Sequence, residues 1–334
     1  MYELLGISLG LASLLTINAI ASLAAAACWR FLEAPLRTRS AGARAEFLFV
    51  LRVGPPALAL LSVTLFLVPS YVGYEPYTTS EIVSKKLAAL AIISAVGVTL
   101  ALWRALRSWF ATRTLVQEWL AGAVQIELSG TNIPTFRIAS SFPIIAVVGT
   151  FRPRLFIAER VLETLSPEEL KAAIAHEDGH LHAHDNCKRS LLRASRDMLM
   201  IVPCGRSLDR AWAEAAECAA DEQAAQQGAE TALNLAAALV KIAKMVPVGA
   251  RAAVPMAAFL VGVEETRGVK ARVRRLLEIA SHDYLRRGPN PTLSRILPAV
   301  SLCGLLLLAL VVASTPTVLV TVHNVIERAV ELLS

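Results

Sequence analysis

Apolar residues fall along this chain in long unbroken blocks, at residues 4–28, 53–72, 87–103 and 296–322. At about 1.5 Å rise per residue, a block of about 20 residues crosses a hydrocarbon core of about 30 Å. Each block is therefore expected to be a transmembrane helix. Between Arg104 and Arg295 the pattern changes, and most of the charged residues lie there. Lipid-facing segments do not tolerate that density, so this part of the chain is expected to face water.

Within the polar region, short runs at 124–128, 136–140, 144–148 and 155–158 are separated by Ser129-Gly130, Phe142-Pro143 and the segment Gly149-Thr150-Phe151-Arg152-Pro153. These are turn chemistries between strands and predict a small antiparallel sheet, reached from the third span through an amphipathic helix over 105–123. Ser166-Pro167-Glu168-Glu169 combines a capping Ser, a Pro at the first helical position and a Glu at the third, which starts a helix at Pro167. Its pattern continues to about Asp197, before Val202-Pro203-Cys204-Gly205. Further helices are predicted over 208–227, stopping at Gly228, and over 230–245 and 263–281. The expected fold class is a mainly α membrane protein with an inserted α+β domain. Three spans occupy 1–103, the polar domain 104–294, and the fourth span with a short tail 295–334.

Composition agrees with this division: 55% of residues are hydrophobic and only 18% charged, unusual for a soluble protein. Short cytoplasmic loops carry the Lys and Arg excess. Arg30, Arg37, Arg39 and Arg44 fill the first loop, and Arg104, Arg107, Arg113, Arg286, Arg287 and Arg295 flank the polar domain. A multi-pass protein of the cell membrane follows, with its polar domain cytoplasmic and both termini extracytoplasmic. Lys85 and Lys86 run against that orientation, outnumbered by ten arginines. Met1-Tyr2-Glu3 lacks the positive start of a secretory signal. Five cysteines without close spacing argue against a disulfide framework. The net charge of +6 is accounted for by juxtamembrane arginines on anionic lipid, without direct nucleic-acid binding.

The candidate chemistry lies in His176-Glu177-Asp178-Gly179-His180. Residues four apart share a helix face, so His176 and His180 can aim two imidazole nitrogens at one ion. Glu177 then reaches a water on that ion as general base, the arrangement a zinc peptidase needs. Such a site takes three protein ligands and leaves one position open. Glu217 is the best third ligand, with Glu214 as competitor, and Asp221 shares the face of Glu217 and can fix the tautomer of a liganding imidazole. A solvated acidic helix face is the plainer alternative for these carboxylates. His184 shares the face of His176 and His180 but lies one turn too far, His182 is expected at solvent, and nothing in the sequence places His282.

The chain resembles the BlaR/MecR-type membrane metallopeptidases, gluzincins related to the CAAX-prenyl and HtpX proteases. The resemblance rests on Pro143-Ile144-Ile145-Ala146-Val147-Val148-Gly149, on Arg152-Pro153-Arg154-Leu155-Phe156-Ile157, on Leu165-Ser166-Pro167-Glu168-Glu169-Leu170, on the histidine motif followed by Asp185-Asn186, and on Glu217 to Asp221. It implies Zn2+ held by His176, His180 and Glu217, with Glu177 as catalytic base and Asp221 behind the ligands. It also implies that Ile144, Ile145, Ala146, Val147 and Val148 form an edge strand that binds an extended substrate. The implied partner is a protein or peptide substrate, with a transcriptional repressor as one candidate, cut in signal transduction or regulated proteolysis. Unlike the antibiotic sensors of that group, the protein is not expected to carry a penicillin-binding sensor domain after the fourth block, and Asp178-Gly179 is more polar than the pair common in such motifs. A non-catalytic signalling or scaffold protein is the alternative, which retained Glu177 disfavours.

Overall fold

The computed structural model describes residues 2–36, 39–77, 83–128, 131–150, 152–197, 205–246, 266–281, 308 and 310–333. Three helical stretches are long and apolar enough to cross a membrane. The first is α1 (Tyr2–Leu36). The second, Ala41–Tyr74, joins α2 (Ala41–Ser62) through a π-helical segment (Val63–Leu67) to α3 (Val68–Tyr74). The third is α4 (Lys85–Ala121), which merges the predicted third span with the amphipathic helix expected at 105–123. No Pro or Gly interrupts that junction, so the helix has no reason to stop where the apolar block does. Ile7, Ile20 and Ile92 are each more than 60% exposed, as suits side chains meeting acyl chains. About half of the predicted fourth span, residues 296–307 and 309, lies outside the described residues. At its end a helical stretch stops at Thr315, and α11 (Pro316–Leu333) begins with Pro at the first position.

Four strands follow α4: β1 (Val124–Ile126), β2 (Thr135–Ile138), β3 (Ile145–Val148) and β4 (Arg154–Ala158). The sheet order is β1-β2-β4-β3. The expectation of an antiparallel sheet is corrected here, because β2 pairs with β4 in parallel while β1 and β3 pair antiparallel. The chain passes from β2 to the edge and returns through the β3–β4 hairpin, which inserts β4 beside β2. Turn signals mark where strands end but not which strands pair. Ile145 to Val148 and Leu155 to Ala158 are all buried, so the two strands of the hairpin form one wall of the core. Trp119 of α4 packs edge-to-face on Phe156 at 5.1 Å, tying the membrane helix to the sheet.

A short α5 (Glu159–Thr164) leads to α6 (Pro167–His182), then α7 (Asp185–Asp197), α8 (Gly205–Ala225), α9 (Ala229–Met245) and α10 (Thr266–Ser281). The capping box at Ser166 forms as expected. Its Oγ accepts from Glu169 N at 3.2 Å, and Glu169 Oε2 accepts from Ser166 N at 2.8 Å, worth about 1 kcal/mol to the helix. The single helix predicted over 167–197 is corrected to two. His184 takes the left-handed conformation, with φ of 55°, which ends a helix as glycine more often does. Leu235, Leu239 and Ile242 of α9 and Leu276 of α10 complete the core behind the sheet.

Membrane helix α2 lies against α8. Leu48 packs with Leu208, Trp212, Ala215 and Ala216. Arg52, 6% exposed, donates from Nε to Asp209 Oδ1 at 3.0 Å and from Nη1 to Ser195 O at 3.4 Å. At the start of α2, Ala41 N donates to Glu222 Oε2 at 3.0 Å. A charge inside an apolar helix is tolerated where such partners meet it, and here they fix the position of α8.

Candidate metal centre

α6 presents His176, Glu177, Gly179 and His180 inward, all buried, and α8 presents Glu217 and Asp221, also buried. Gly179 makes the crossing possible. A Cβ there would lie 3.0 Å from Ala220 Cα and 3.2 Å from Ala220 Cβ, so any larger residue pushes α8 away. The flexible Asp178-Gly179 pair leaves the helix intact and serves as its point of closest approach.

His176 Nε2 lies 3.5 Å from Glu217 Oε2, and His180 Nε2 lies 3.4 Å from Glu217 Oε1. Ligand atoms of the three residues all fall within 4.8 Å of one another. A tetrahedron with bonds of about 2.1 Å separates its donors by about 3.4 Å, so each histidine nitrogen stands at donor spacing from one oxygen of Glu217. Nε2 of both histidines and Oε1 of Glu177 are buried without a hydrogen-bond partner among the described residues. Buried polar atoms are normally satisfied. Three that converge without one are what an ion and its water would complete. His176, His180 and Glu217 could therefore hold a metal, and two nitrogens with one carboxylate are a zinc-type donor set.

The opposite imidazole nitrogens face carboxylates. Asp221 Oδ1 lies 2.9 Å from His176 Nδ1, and Asp185 Oδ2 is hydrogen-bonded to His180 Nδ1 at 2.6 Å. This leaves Nε2 of each ring facing the centre, as ligand histidines require. The left-handed turn at His184 is what folds Asp185 back onto α6. Arg272 of α10, 5% exposed, grips Asp221 bidentately, with Nε and Nη2 each at 2.7 Å, and its Nη1 lies 3.1 Å from Glu217 Oε2. Arg189 of α7 donates to Glu217 Oε1 at 3.1 Å. The sequence reading missed Asp185 as a partner of His180 and missed both arginines. Asp185 immediately after the helix end was a usable signal. Arg272 sits among Arg274 and Arg275 on one helix, and nothing local distinguishes it.

Of the other predicted residues, Glu214 is not among the metal-holding groups of the described residues. His182 is half exposed beside Asp178, and His184 occupies the turn. His282 lies outside the described residues. β3 is an edge strand, with Ile144 just before it. Ala158 N donates to Ile144 O at 2.8 Å, so by alternation Ile145 and Val147 direct their backbone groups away from β4. Val147 N donates to Glu177 Oε2 at 3.0 Å, and Asn186 Nδ2 donates to Val147 O at 2.9 Å and to Gly149 O at 3.2 Å. Glu177 and Asn186 thus occupy the outer edge at Val147.

The electrostatics follow from burial and pairing. Burial raises the Glu177 carboxyl above its ordinary range, against the pull of both histidines. Burial also disfavours charge on Glu217, but His180, His176 and Arg272 outweigh it and hold this carboxyl well below its usual range. For Asp221 the same contest, won by Arg272, brings the value down to about 2. Burial would lower His180, yet Glu217 and Asp185 together raise it to about 10. In the metal-free protein this folded value stands above the ordinary 6.5. The stabilisation is therefore complete below about pH 6.5 and is lost as pH rises through about 10. Zinc binding near neutral pH must displace that proton. Calorimetry in buffers of different ionisation enthalpy is expected to show release of about one proton per zinc or more, and none released would contradict a protonated apo centre.

Two inward histidines four apart, a carboxylate from a second helix and an unbonded buried Glu oxygen beside them define a metallopeptidase-type centre. Residues 123–296, just over half of the chain, match the family described as Peptidase family M48. The chain belongs to that family, whose members are zinc metallopeptidases. No curated protein matches the chain.

Proposed function

We propose that this protein is an integral-membrane zinc endopeptidase of the BlaR/MecR type, with His176, His180 and Glu217 as zinc ligands and Glu177 as general base. The observation that carries the reading is the convergence of His176, His180 and Glu217, with ligand atoms within 4.8 Å of one another, beside the unbonded Glu177 Oε1. When bound, zinc supplies Lewis acidity that brings water to a pKa of about 7 and polarises a carbonyl. Asp221 and Asp185 hold the two imidazoles in the tautomer that presents Nε2. Glu177 accepts the proton of the attacking water at Oε1, while its Oε2 stays anchored on Val147 N and so cannot swing away. The protonated carboxyl then returns that proton to the departing amine.

An extended substrate pairs along the outer edge of β3, where main-chain hydrogen bonds give affinity and alternate side-chain pockets give selectivity. With Val147 N held by Glu177 and Val147 O by Asn186, that pairing is centred on Ile145. The substrate is a cytoplasmic or membrane-proximal protein, a repressor being one candidate, since the arginine distribution supports a cytoplasmic domain. A proteome-derived peptide library offered to the purified protein in detergent tests the activity. Cleavage should stop on chelation and return with about one equivalent of zinc. A library left intact by zinc-loaded, folded protein would favour the non-catalytic alternative.

A further inference from the structure

A second group of metal-type donors stands at the other end of the helical bundle. Glu75 follows the last residue of α3, and His323 and Glu327 lie four apart on α11. One ligand atom from each lies within 4.8 Å of the others. This end is remote from His176, because Glu75 precedes the start of α4 whereas the sheet follows its end. At about 1.5 Å per residue, the 37 residues of α4 span about 55 Å.

Packing sets the geometry of the cluster. Ser70 Oγ donates to Leu319 O at 2.7 Å, Tyr74 OH lies 3.5 Å from Pro316 O, and the Tyr74 ring is 6.1 Å from that of His323. Ile326 packs with Leu5, Leu67 and Tyr71. With α11 locked against α3 and α1 in this register, His323 and Glu327 are turned toward Glu75. The side chains form a gradient of exposure: Glu75 is 6% exposed as a residue, and the His323 and Glu327 side chains 17% and 42%. Nε2 of His323 is 3.7 Å from Glu327 Oε1, close to the donor spacing around one tetrahedral ion. Nδ1 of His323 is buried with no hydrogen-bond partner among the described residues. Two carboxylates and one imidazole within reach of one another are a donor set that one divalent cation can join.

We propose that Glu75, His323 and Glu327 form a second divalent-metal site that staples α11 to α3. One nitrogen and two oxygen donors suit zinc and exclude the all-oxygen cages preferred by calcium and magnesium. The exposed side of Glu327 leaves room for water in the remaining position. Occupancy of this joint answers to metal on the side of the membrane opposite the peptidase domain, and it makes no contact with the His176 centre.

Metal-stripped full-length protein in detergent, dialysed against micromolar ZnCl2 and assayed for bound zinc by atomic emission, tests the proposal. Wild type should hold about two zinc ions per chain, and His323→Ala and Glu327→Gln about one. Zinc should raise the melting temperature of wild type more than that of either variant. Asn324→Ala, an exposed change on the same helix, should behave as wild type. Glu327 is partly exposed, so its variant keeps the test valid if His323→Ala fails to fold. Equal zinc in wild type and Glu327→Gln overturns the second site. Because Glu217→Ala removes the other ion, loss there with no loss in Glu327→Gln separates failure of this inference from failure of the peptidase reading.

Discussion

Replacing Glu177 by Gln is expected to abolish peptide hydrolysis while zinc content stays at the wild-type level. Glu177 is not placed to ligate. Its Oε2 is held by Val147 N at 3.0 Å, and its Oε1 faces the centre unbonded. A glutamine side chain of nearly the same shape can still meet Val147 N through its carbonyl oxygen. Its amide group then occupies the Oε1 position and cannot accept a proton from water. General base catalysis contributes about 10²- to 10⁴-fold, and here the same carboxyl also carries the proton to the leaving amine, so a loss at the upper end is expected. The check is a rate measurement on zinc-quantified protein with any peptide that wild type cuts. Full activity in zinc-loaded Glu177→Gln would remove the assignment of the base, and loss of zinc would show that Glu177 is part of the ligand set.

Glu217→Ala is expected to empty the centre of zinc and to lower stability as well. The carboxylate supplies the only donor from α8 within the group, and two histidines alone leave the polyhedron half built. It also stands between two guanidiniums, with Arg189 at 3.1 Å from Oε1 and Arg272 at 3.1 Å from Oε2. Removing one partner of a buried ion pair costs about 3 to 5 kcal/mol. Asp221 still grips Arg272 at 2.7 Å, so the cost should fall at the lower end, about 3 kcal/mol. Thermal unfolding of the metal-free forms isolates that cost, since neither holds zinc, and zinc content of the two loaded forms reports the ligand. Wild-type zinc content in folded Glu217→Ala would pass the third-ligand role to another residue, with Glu214 first in line.

These outcomes depend on how one arrangement is assembled. The periodicity of His176 and His180, the capping box at Ser166 and the stop at Gly228 are local, and local chemistry decides them wherever the chain goes. The block pattern likewise led to four expected membrane helices, of which three stretches among the described residues are long and apolar enough to cross a membrane. The strand segments were legible to within about two residues, but their pairing was not. Whether β2 meets β3 or β4 depends on which insertion buries Phe156 and Ile157 against α4 and α9. The break at His184 was hidden for a related reason: a left-handed histidine is unfavourable in isolation and is held by what Asp185 and Asn186 gain on reaching His180 and β3.

By itself, then, the sequence determined the helices apolar and long enough for a membrane, the helix that carries the histidine pair and the shared face of the two carboxylates on α8, since each follows from spacing along one element. Only the tertiary structure decided that Glu217 rather than Glu214 meets the histidines, that Arg272 grips Asp221, and that Glu75 finds His323 and Glu327 across more than 200 positions of chain. Contacts between elements depend on the angle and depth at which helices cross, and that is set by packing at single points such as Gly179 against Ala220.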